Sequence, residues 1–346
     1  MKKIWVVLAA AFLTLPCLPL AAQEADDTES GVTFSLIPRL DLSPQFYNDG
    51  SGEFTLGNSS LYTLFEGSIT DHISFSVMNH WASLYATDPF GGETKDLYNK
   101  TLWRSDTNNW LDWAYVCFGL GESPWAVTLG KDVLQVGGFE YEAYDFEVHP
   151  WMATTLWNVL PAYQWGGRVG FTFQDEQNLS LQVAASPFGD RPFNSGLYTF
   201  SLQWSGSAGP FEWKHSAALF QTGIDGEKTH PMFNAALKWD TGADLYVTLD
   251  LANRVGDELF LLSKGFMAHP SVTWAPVGGW DFTGSLVFEA NNRFDDAVYT
   301  YIPGLSANWY PLEDNTDFRV HASAAYNTRW ETATLCLGVL YNFNLL

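Results

Sequence analysis

The sequence predicts an antiparallel transmembrane β-barrel of about sixteen strands, with short turns at one end and long loops at the other. Three observations support this prediction. Segments of about ten residues with alternating apolar and polar side chains recur along almost the whole chain. Aromatic residues make up 16% of the sequence and charged residues also only 16%, which suits a wall that faces lipid. The connections between these segments alternate between short and long.

The first 22 residues have the pattern of a signal peptide. Lys2 and Lys3 precede an apolar stretch at 4–15, and small residues at 21–22 lead into an acidic segment. An apolar stretch of about a dozen residues is too short to cross a bilayer as a helix. We therefore expect a signal peptide at 1–22 and an exported outer-membrane β-barrel at 23–346.

The clearest alternation lies in the last predicted strand. Leu335, Leu337 and Val339 share one face there, and Thr334 and Cys336 lie on the other. Segments 318–326 and 178–186 repeat this pattern. Successive side chains of a strand point to opposite faces, so in a barrel the apolar set meets lipid and the polar set meets the lumen.

A soluble β-sandwich could also contain such strands, but it would not need an outward apolar face on every one. Trp and Tyr favour lipid–water interfaces because their rings are amphipathic. The tryptophans near predicted strand ends are Trp81, Trp110, Trp113, Trp165, Trp204, Trp213, Trp239, Trp280, Trp309 and Trp330.

Connections of alternating length predict the orientation of the barrel. Periplasmic turns are short in such barrels and external loops are longer. Short connections are expected near 71–72, 121–124, 175–177, 205–210, 241–243, 276–279 and 311–316. Longer ones are expected near 41–52, 82–109, 134–162, 187–195, 223–231, 254–267 and 292–300, and the short connection at 327–331 is an exception.

The charge balance limits the possible partners. A formal net charge of −22 excludes a basic nucleic-acid-binding face. In a lumen, the same acidity would favour cations. The cysteines have no metal-binding spacing, and we predict no metal site and no cofactor. The one alternative is a Ca²⁺ site formed by Asp145, Glu147 and His149.

The richest candidate site is the long connection at 134–162, which follows the fifth predicted strand. It carries the closely spaced acids Glu140, Glu142, Asp145 and Glu147. If the loop folds into the lumen, these acids form a pore constriction that prefers cations; the alternative is an external, solvated loop. Strand alternation predicts the pore-lining residues Arg39, Glu66, Arg168, Lys238, Glu289, Arg319 and His321. Lys131 is expected at the rim, beside the outward-facing Leu129.

Two stretches resemble a known family. Segment 332–346, with Phe343 near its end, is similar to the terminal strand of outer-membrane barrels. Segment 110–140 contains the strand WLDWAYV at 110–116, the motif VTLGKD at 127–132 and the motif GGFE at 137–140. These motifs resemble part of the phosphate-selective porin-like family of the Bacteroidota. This resemblance implies a passive channel for small hydrophilic solutes or ions, often a homotrimer, in the outer membrane.

Two other functions remain open. A lumen plugged by the long third loop would suit a non-conducting barrel that serves as a structural partner in an outer-membrane assembly. An outer-membrane hydrolase would need a Ser–His pair with an orienting group. Ser323 and His321 share a strand face, but no orienting residue is evident, so we predict no catalytic residues.

Overall fold

The computed structural model describes residues 31–56, 59–83, 111–173, 176–189, 192–223, 228–257, 259–276, 279–292, 297–312 and 316–346. The predicted signal peptide at 1–22 lies outside these residues, as does most of the predicted loop at 82–109.

One antiparallel sheet of eighteen strands closes on itself. β1 pairs with β3 on one side and with β17 on the other, where Leu40 lies opposite Val339. β2 leads into β3 and β18 continues β17, so sixteen strands cross the wall and the predicted barrel is confirmed. The strands are β1 Val32–Tyr47, β2 Gly52–Thr55, β3 Ser60–Thr70, β4 Ile73–Ser83, β5 Leu111–Gly119, β6 Trp125–Val133, β7 Tyr163–Phe173, β8 Gln177–Ala185, β9 Tyr198–Ala208, β10 Phe211–Gln221, β11 Thr229–Asp240, β12 Leu245–Asp257, β13 Leu261–Trp274, β14 Trp280–Asn291, β15 Val298–Trp309, β16 Phe318–Asn327, β17 Thr332–Tyr341 and β18 Phe343–Asn344.

The predicted alternation of faces holds along β17. Leu337 is 56% exposed, whereas Thr334 and Cys336 are each 5% exposed. The outer wall carries similar exposed apolar side chains on strands all around the barrel, such as Leu129, Leu181 and Leu305. This surface is suited to contact with lipid. In the part of the chain that the structure describes, no helix is long and apolar enough to cross a membrane.

The exposed tryptophans lie mostly at strand ends, as an interfacial belt requires. Trp280 stacks on Trp309 with ring centroids 5.7 Å apart, where β14 begins and β15 ends. Trp113 differs from the prediction, because it is only 5% exposed and packs inside the barrel. Its Nε1 donates to Ser76 Oγ (2.7 Å) on the neighbouring β4, which satisfies the indole away from water.

Two of the connections predicted to be long are tight. β1 runs to Tyr47 and β2 begins at Gly52, and β12 runs to Asp257 before β13 begins at Leu261. Backbone pairing continues through these segments, so the strands extend further than the sequence pattern indicated. Asp41 therefore lies within a strand rather than in a loop.

The connection at 134–162 turns into the barrel. It contains a single 3₁₀ turn, Pro150–Met152, and one short helix, α1, Thr155–Val159. Thr154 caps α1 by accepting from Trp157 N (3.2 Å). The largest buried apolar cluster among the described residues joins this loop to the wall between β8 and β13, so the hydrophobic core lies inside the barrel. The members of this cluster include Leu134, Val136, Tyr141, Leu156, Leu160, Phe220, Met232, Ala252 and Val255.

Candidate functional site

Two arginines hold the middle of the inward loop. Arg39 on β1 donates from Nη1 to the carbonyl oxygens of Phe146 (2.7 Å) and Val148 (3.0 Å). Arg319 on β16 donates from Nη2 to the same Phe146 oxygen (3.1 Å) and forms an ion pair with Glu147. β1 and β16 both pair with β17. These bonds therefore tie the loop to the wall where the barrel closes.

Glu140 is anchored elsewhere on the wall, beside β12 and β13. Its carboxylate accepts from Thr154 N (3.0 Å) and Thr154 Oγ1 (2.6 Å), and it lies 3.1 Å from His269 Nδ1. Burial opposes ionisation of Glu140, but His269 and Thr154 outweigh burial and hold its pKa below the ordinary value. Asp250 accepts from the N–H groups of Phe139 (3.1 Å) and Glu140 (3.0 Å). Charged acceptors bind backbone amides strongly, so the first half of the loop is fixed.

Further anchors lie on β9, β10 and β14. Lys214 Nζ lies 2.5 Å from Glu142 Oε2, and Gln203 also donates to Glu142. Glu289 accepts from Thr155 N and Thr155 Oγ1, both at 2.7 Å, at the start of α1. The loop is thus bonded to strands on several sides of the barrel.

Asp145 has a different environment from the other three loop acids. The hydroxyl of Tyr163 donates to its Oδ1 (3.3 Å), and a second carboxylate, that of Asp112 on β5, interacts with it electrostatically. Burial raises the pKa of Asp145 to about 6. The hydroxyl of Tyr163 on β7 thus links Asp145 to the barrel wall.

An aromatic cluster joins the loop to the wall on this side. Tyr144 stacks against both Trp113 and Phe146, with centroids 5.3 Å and 5.1 Å apart. Tyr163 contacts Trp113 at 5.4 Å, and Tyr62 on β3 contacts Phe146 at 5.6 Å. Such ring pairs add to the burial energy of the side chains, so the loop is packed here rather than only hydrogen-bonded.

His321 belongs to a buried network behind the loop. Its Nε2 lies 2.8 Å from Asp41 Oδ1, and Arg39 Nη2 lies 2.9 Å from Asp41 Oδ2. Ligand atoms of Asp41, His321 and Cys336 all lie within 4.8 Å of one another. Because both Asp41 oxygens already bond to Arg39 or His321, the arrangement suits a structural ion pair better than a metal centre.

The remaining predicted side chains have separate partners. Ser323 Oγ accepts from Trp151 Nε1 (2.8 Å), which ties the 3₁₀ turn to β16. Three predicted pore-lining residues contact neighbouring strands, namely Arg168 with Asp132 (3.1 Å), Lys238 with Glu212 (3.3 Å), and Glu66 with Ser76 (3.5 Å).

The predicted rim position of Lys131 is wrong. Lys131 is buried, and its Nζ donates to Leu111 O (2.5 Å). The preceding Gly130 has φ +138°, a conformation that L side chains rarely adopt, and a Cβ there would lie 2.7 Å from Tyr115 Cα. This irregularity interrupts the alternation after the exposed Leu129 and turns Lys131 inward.

Solved structures with the same architecture include the anion-selective porin of Comamonas acidovorans. It shares 10% identity, with 91% of this chain and 100% of that one covered and a TM-score of 0.63. The fold is that of outer-membrane porins. The outer membrane channel DcaP of Acinetobacter baumannii matches at 9% identity, with 93% and 100% covered and a TM-score of 0.61.

The trimer form of OmpT, an outer membrane protein of Vibrio cholerae, also matches, at 9% identity, with 91% and 100% covered and a TM-score of 0.58. No protein-family model and no curated protein matches the sequence. The porin fold and the apolar outer wall together identify an outer-membrane β-barrel.

Several residues of the site were not predicted from the sequence. Lys214 and His269 carry a signal that could have revealed them, since each is a basic residue in the interior of a strand, where contact with lipid is costly. Asp250 and Asp112 also sit inside strands, where a carboxylate is costly in contact with lipid. Their contacts with the loop depend on the path of the chain through the lumen.

Proposed function

We propose that this protein is a passive diffusion channel for small hydrophilic solutes or ions across the outer membrane, and that its loop at 134–162 forms the pore constriction. The observation that carries the proposal is the closed sixteen-strand barrel with that loop bonded inside it. A loop held by ion pairs on several strands keeps a defined aperture, which is the basis of selection by size and charge.

We further propose that the channel prefers cations. Among the described residues, six buried strand carboxylates are matched by six buried lysine or arginine side chains. The loop adds Glu140, Glu142, Asp145 and Glu147 and no lysine or arginine. The lumen therefore carries an excess of acid along the inward loop, and a low-dielectric wall strengthens that field.

Planar-bilayer recordings test both parts of the proposal. The purified protein should form ohmic channels, and its reversal potential in a salt gradient should have the sign of a cation-preferring pore. The effect should weaken near 1 M salt, where the Debye length is about 3 Å. A pore that conducts with anion preference would contradict the second part, and the absence of any conductance would contradict the first.

A non-conducting structural barrel is the second candidate. It is favoured by the packing of the loop, since Tyr144 and Phe146 fill the side toward β3 and β5 while Tyr141 and Leu156 fill the side toward β12. Recordings that remain silent, although the protein shows the heat-sensitive electrophoretic mobility of a folded barrel, would support this candidate.

The finer family membership and the assembly remain proposals. We propose a porin related to the phosphate-selective porin-like proteins of the Bacteroidota, on the basis of the sequence at 110–140, and a homotrimer. The neighbour OmpT is described in a trimer form, which supports the second part. Chemical cross-linking in native membranes should yield a band at three times the chain mass.

A further inference from the structure

The first half of the inward loop is attached to the barrel wall around one histidine. His269 on β13 lies directly opposite Asp250 on β12 in the strand register, and both side chains contact the loop inside the lumen. His269 Nδ1 lies 3.1 Å from Glu140 Oε1 on the loop. Glu289 on β14 is opposite Met267, which precedes His269 by two residues and shares its strand face. Three carboxylates therefore surround one imidazole ring.

Hydrogen bonds from the loop hold all three carboxylates in place. Asp250 Oδ2 accepts from Glu140 N (3.0 Å), and Glu289 accepts from Thr155 N and Thr155 Oγ1, both at 2.7 Å. The carboxylate of Glu140 accepts from Thr154 N (3.0 Å) and Thr154 Oγ1 (2.6 Å). The acids are thus fixed beside the ring, and the same groups fasten the loop to the wall.

His269 itself is held by a single polar contact, the one to Glu140. Its Nε2 is buried and has no hydrogen-bond partner among the described residues. The charged groups that act on the ring from the loop, β12 and β14 are Glu140, Asp250 and Glu289, and Arg329 acts on Glu289 from the turn between β16 and β17. Three negative charges stabilise a protonated ring, whereas a neutral ring leaves these acids to repel one another.

We propose that His269 is a pH-sensitive latch, which fastens segment 138–141 to the wall of β12 to β14 when its ring is protonated and releases that segment when the ring is neutral. The proposal rests on the function proposed above, since it names a regulation of the same constriction. Imidazole changes its charge between about pH 5 and pH 8. Glu140 stays ionised over this range, because its pKa lies below the ordinary value.

The sign of the pH effect follows from proton linkage. The fastened position of the loop favours the imidazolium form, so it binds the proton more tightly than the released position does. Protonation at low pH therefore stabilises the fastened position, and this stabilisation is lost as the pH rises through neutrality. The constriction should be tighter in acid and looser in mild alkali.

Hydrogen exchange of backbone amides, measured by mass spectrometry on the folded barrel in lipid vesicles, tests the latch without relying on conductance. After correction for the intrinsic effect of pH on exchange, the protection of segment 138–141 should fall by about tenfold or more from about pH 5 to about pH 8, because a hydrogen bond to a charged group is lost. His269→Gln should show the low protection at both pH values. His269→Lys keeps a positive charge and should show the high protection at both.

Two comparisons control for effects elsewhere in the barrel. His72 lies exposed in the turn between β3 and β4, and His72→Gln should keep the pH response of the parent. The strand β7 should keep its protection throughout. The same pH response in His269→Gln as in the parent would overturn the latch, and so would an equal fall of protection in β7, which would mean that the whole barrel loosens.

Single-channel recordings separate failure of the latch from failure of the proposed function. In a conducting parent, conductance should rise with pH, and His269→Gln should have the higher conductance at both pH values. The difference between parent and variant measures the latch, because the pKa of Asp145 is also about 6. If the parent conducts and His269→Gln responds to pH as the parent does, the inference fails and the channel function stands. If the parent does not conduct, the channel function fails, and hydrogen exchange alone decides the latch.

Discussion

Gly338 on β17 is a position where one methyl group should disrupt the support of the inward loop. A Cβ at Gly338 would lie far inside van der Waals contact of Asp41 Oδ1 and His321 Nε2, and 2.7 Å from Leu40 O. The strand backbone cannot withdraw, because β17 is paired with β1 on one side and β16 on the other. In Gly338→Ala, the buried Arg39–Asp41–His321 network therefore has to move.

The cost can be worked from two effects. Overpacking a well-packed interior costs about 1–3 kcal/mol, and breaking a buried ion pair costs about 3–5 kcal/mol. The two effects share the same atoms, so they do not add, and we expect Gly338→Ala to lower the free energy of unfolding by about 3 kcal/mol. Arg39 also holds the carbonyl oxygens of Phe146 and Val148, so the middle of the loop should loosen in the same variant.

Gly284→Ala is the matched control, since the nearest atom to its Cβ is Leu305 Cδ2 at 3.5 Å, an ordinary contact. Equilibrium unfolding of both variants in lipid vesicles, by guanidinium chloride with tryptophan fluorescence, measures the difference. Gly284→Ala should lie within about 1 kcal/mol of the parent. Equal midpoints for the parent and Gly338→Ala would contradict this prediction, because the network would then have room for a methyl group.

Three further predictions concern the wall, the orientation and the pH response. Leu337→Arg should reduce the yield of folded barrel far more than Thr334→Arg, because Leu337 faces outward. An Arg that faces lipid costs about 2–4 kcal/mol near the membrane midplane. Equal yields in a refolding assay would mean that the outward face does not meet lipid. Leu259 lies in the predicted external connection at 254–267 and is exposed, and Asp71 lies in the predicted periplasmic turn at 71–72. A membrane-impermeant maleimide applied to intact cells should therefore label Leu259→Cys but not Asp71→Cys, and the opposite result would reverse the predicted orientation of the barrel. Because burial raises the pKa of Asp145, the folded protein binds more protons than the unfolded chain at pH values between the two pKa values. The contribution of Asp145 to the free energy of unfolding therefore falls as the pH rises to about 6. Over the same pH range, ionisation of Asp145 should increase the cation preference of the channel, and Asp145→Asn should remove this pH dependence of the reversal potential.

Much of the barrel could be predicted from the sequence because the relevant signal is local. Successive side chains of a strand point to opposite faces, so the alternation in β17 already separates the exposed Leu337 from the buried Thr334 and Cys336. The number of strands follows from the same kind of local pattern. This signal fails where the backbone is irregular, as at Gly130, where the alternation breaks and Lys131 turns inward.

The antiparallel barrel, the facing of its regular strands and the acidic loop at 134–162 can all be predicted from the amino-acid sequence. The groups that meet across the lumen are known only from the fold: Glu142 with Lys214, Glu147 with Arg319, and Thr155 with Glu289. These contacts join residues that are far apart in the chain. Their positions depend on strand register, on closure between β1 and β17 and on the path of the loop, and none of these is encoded in the pattern of neighbouring residues.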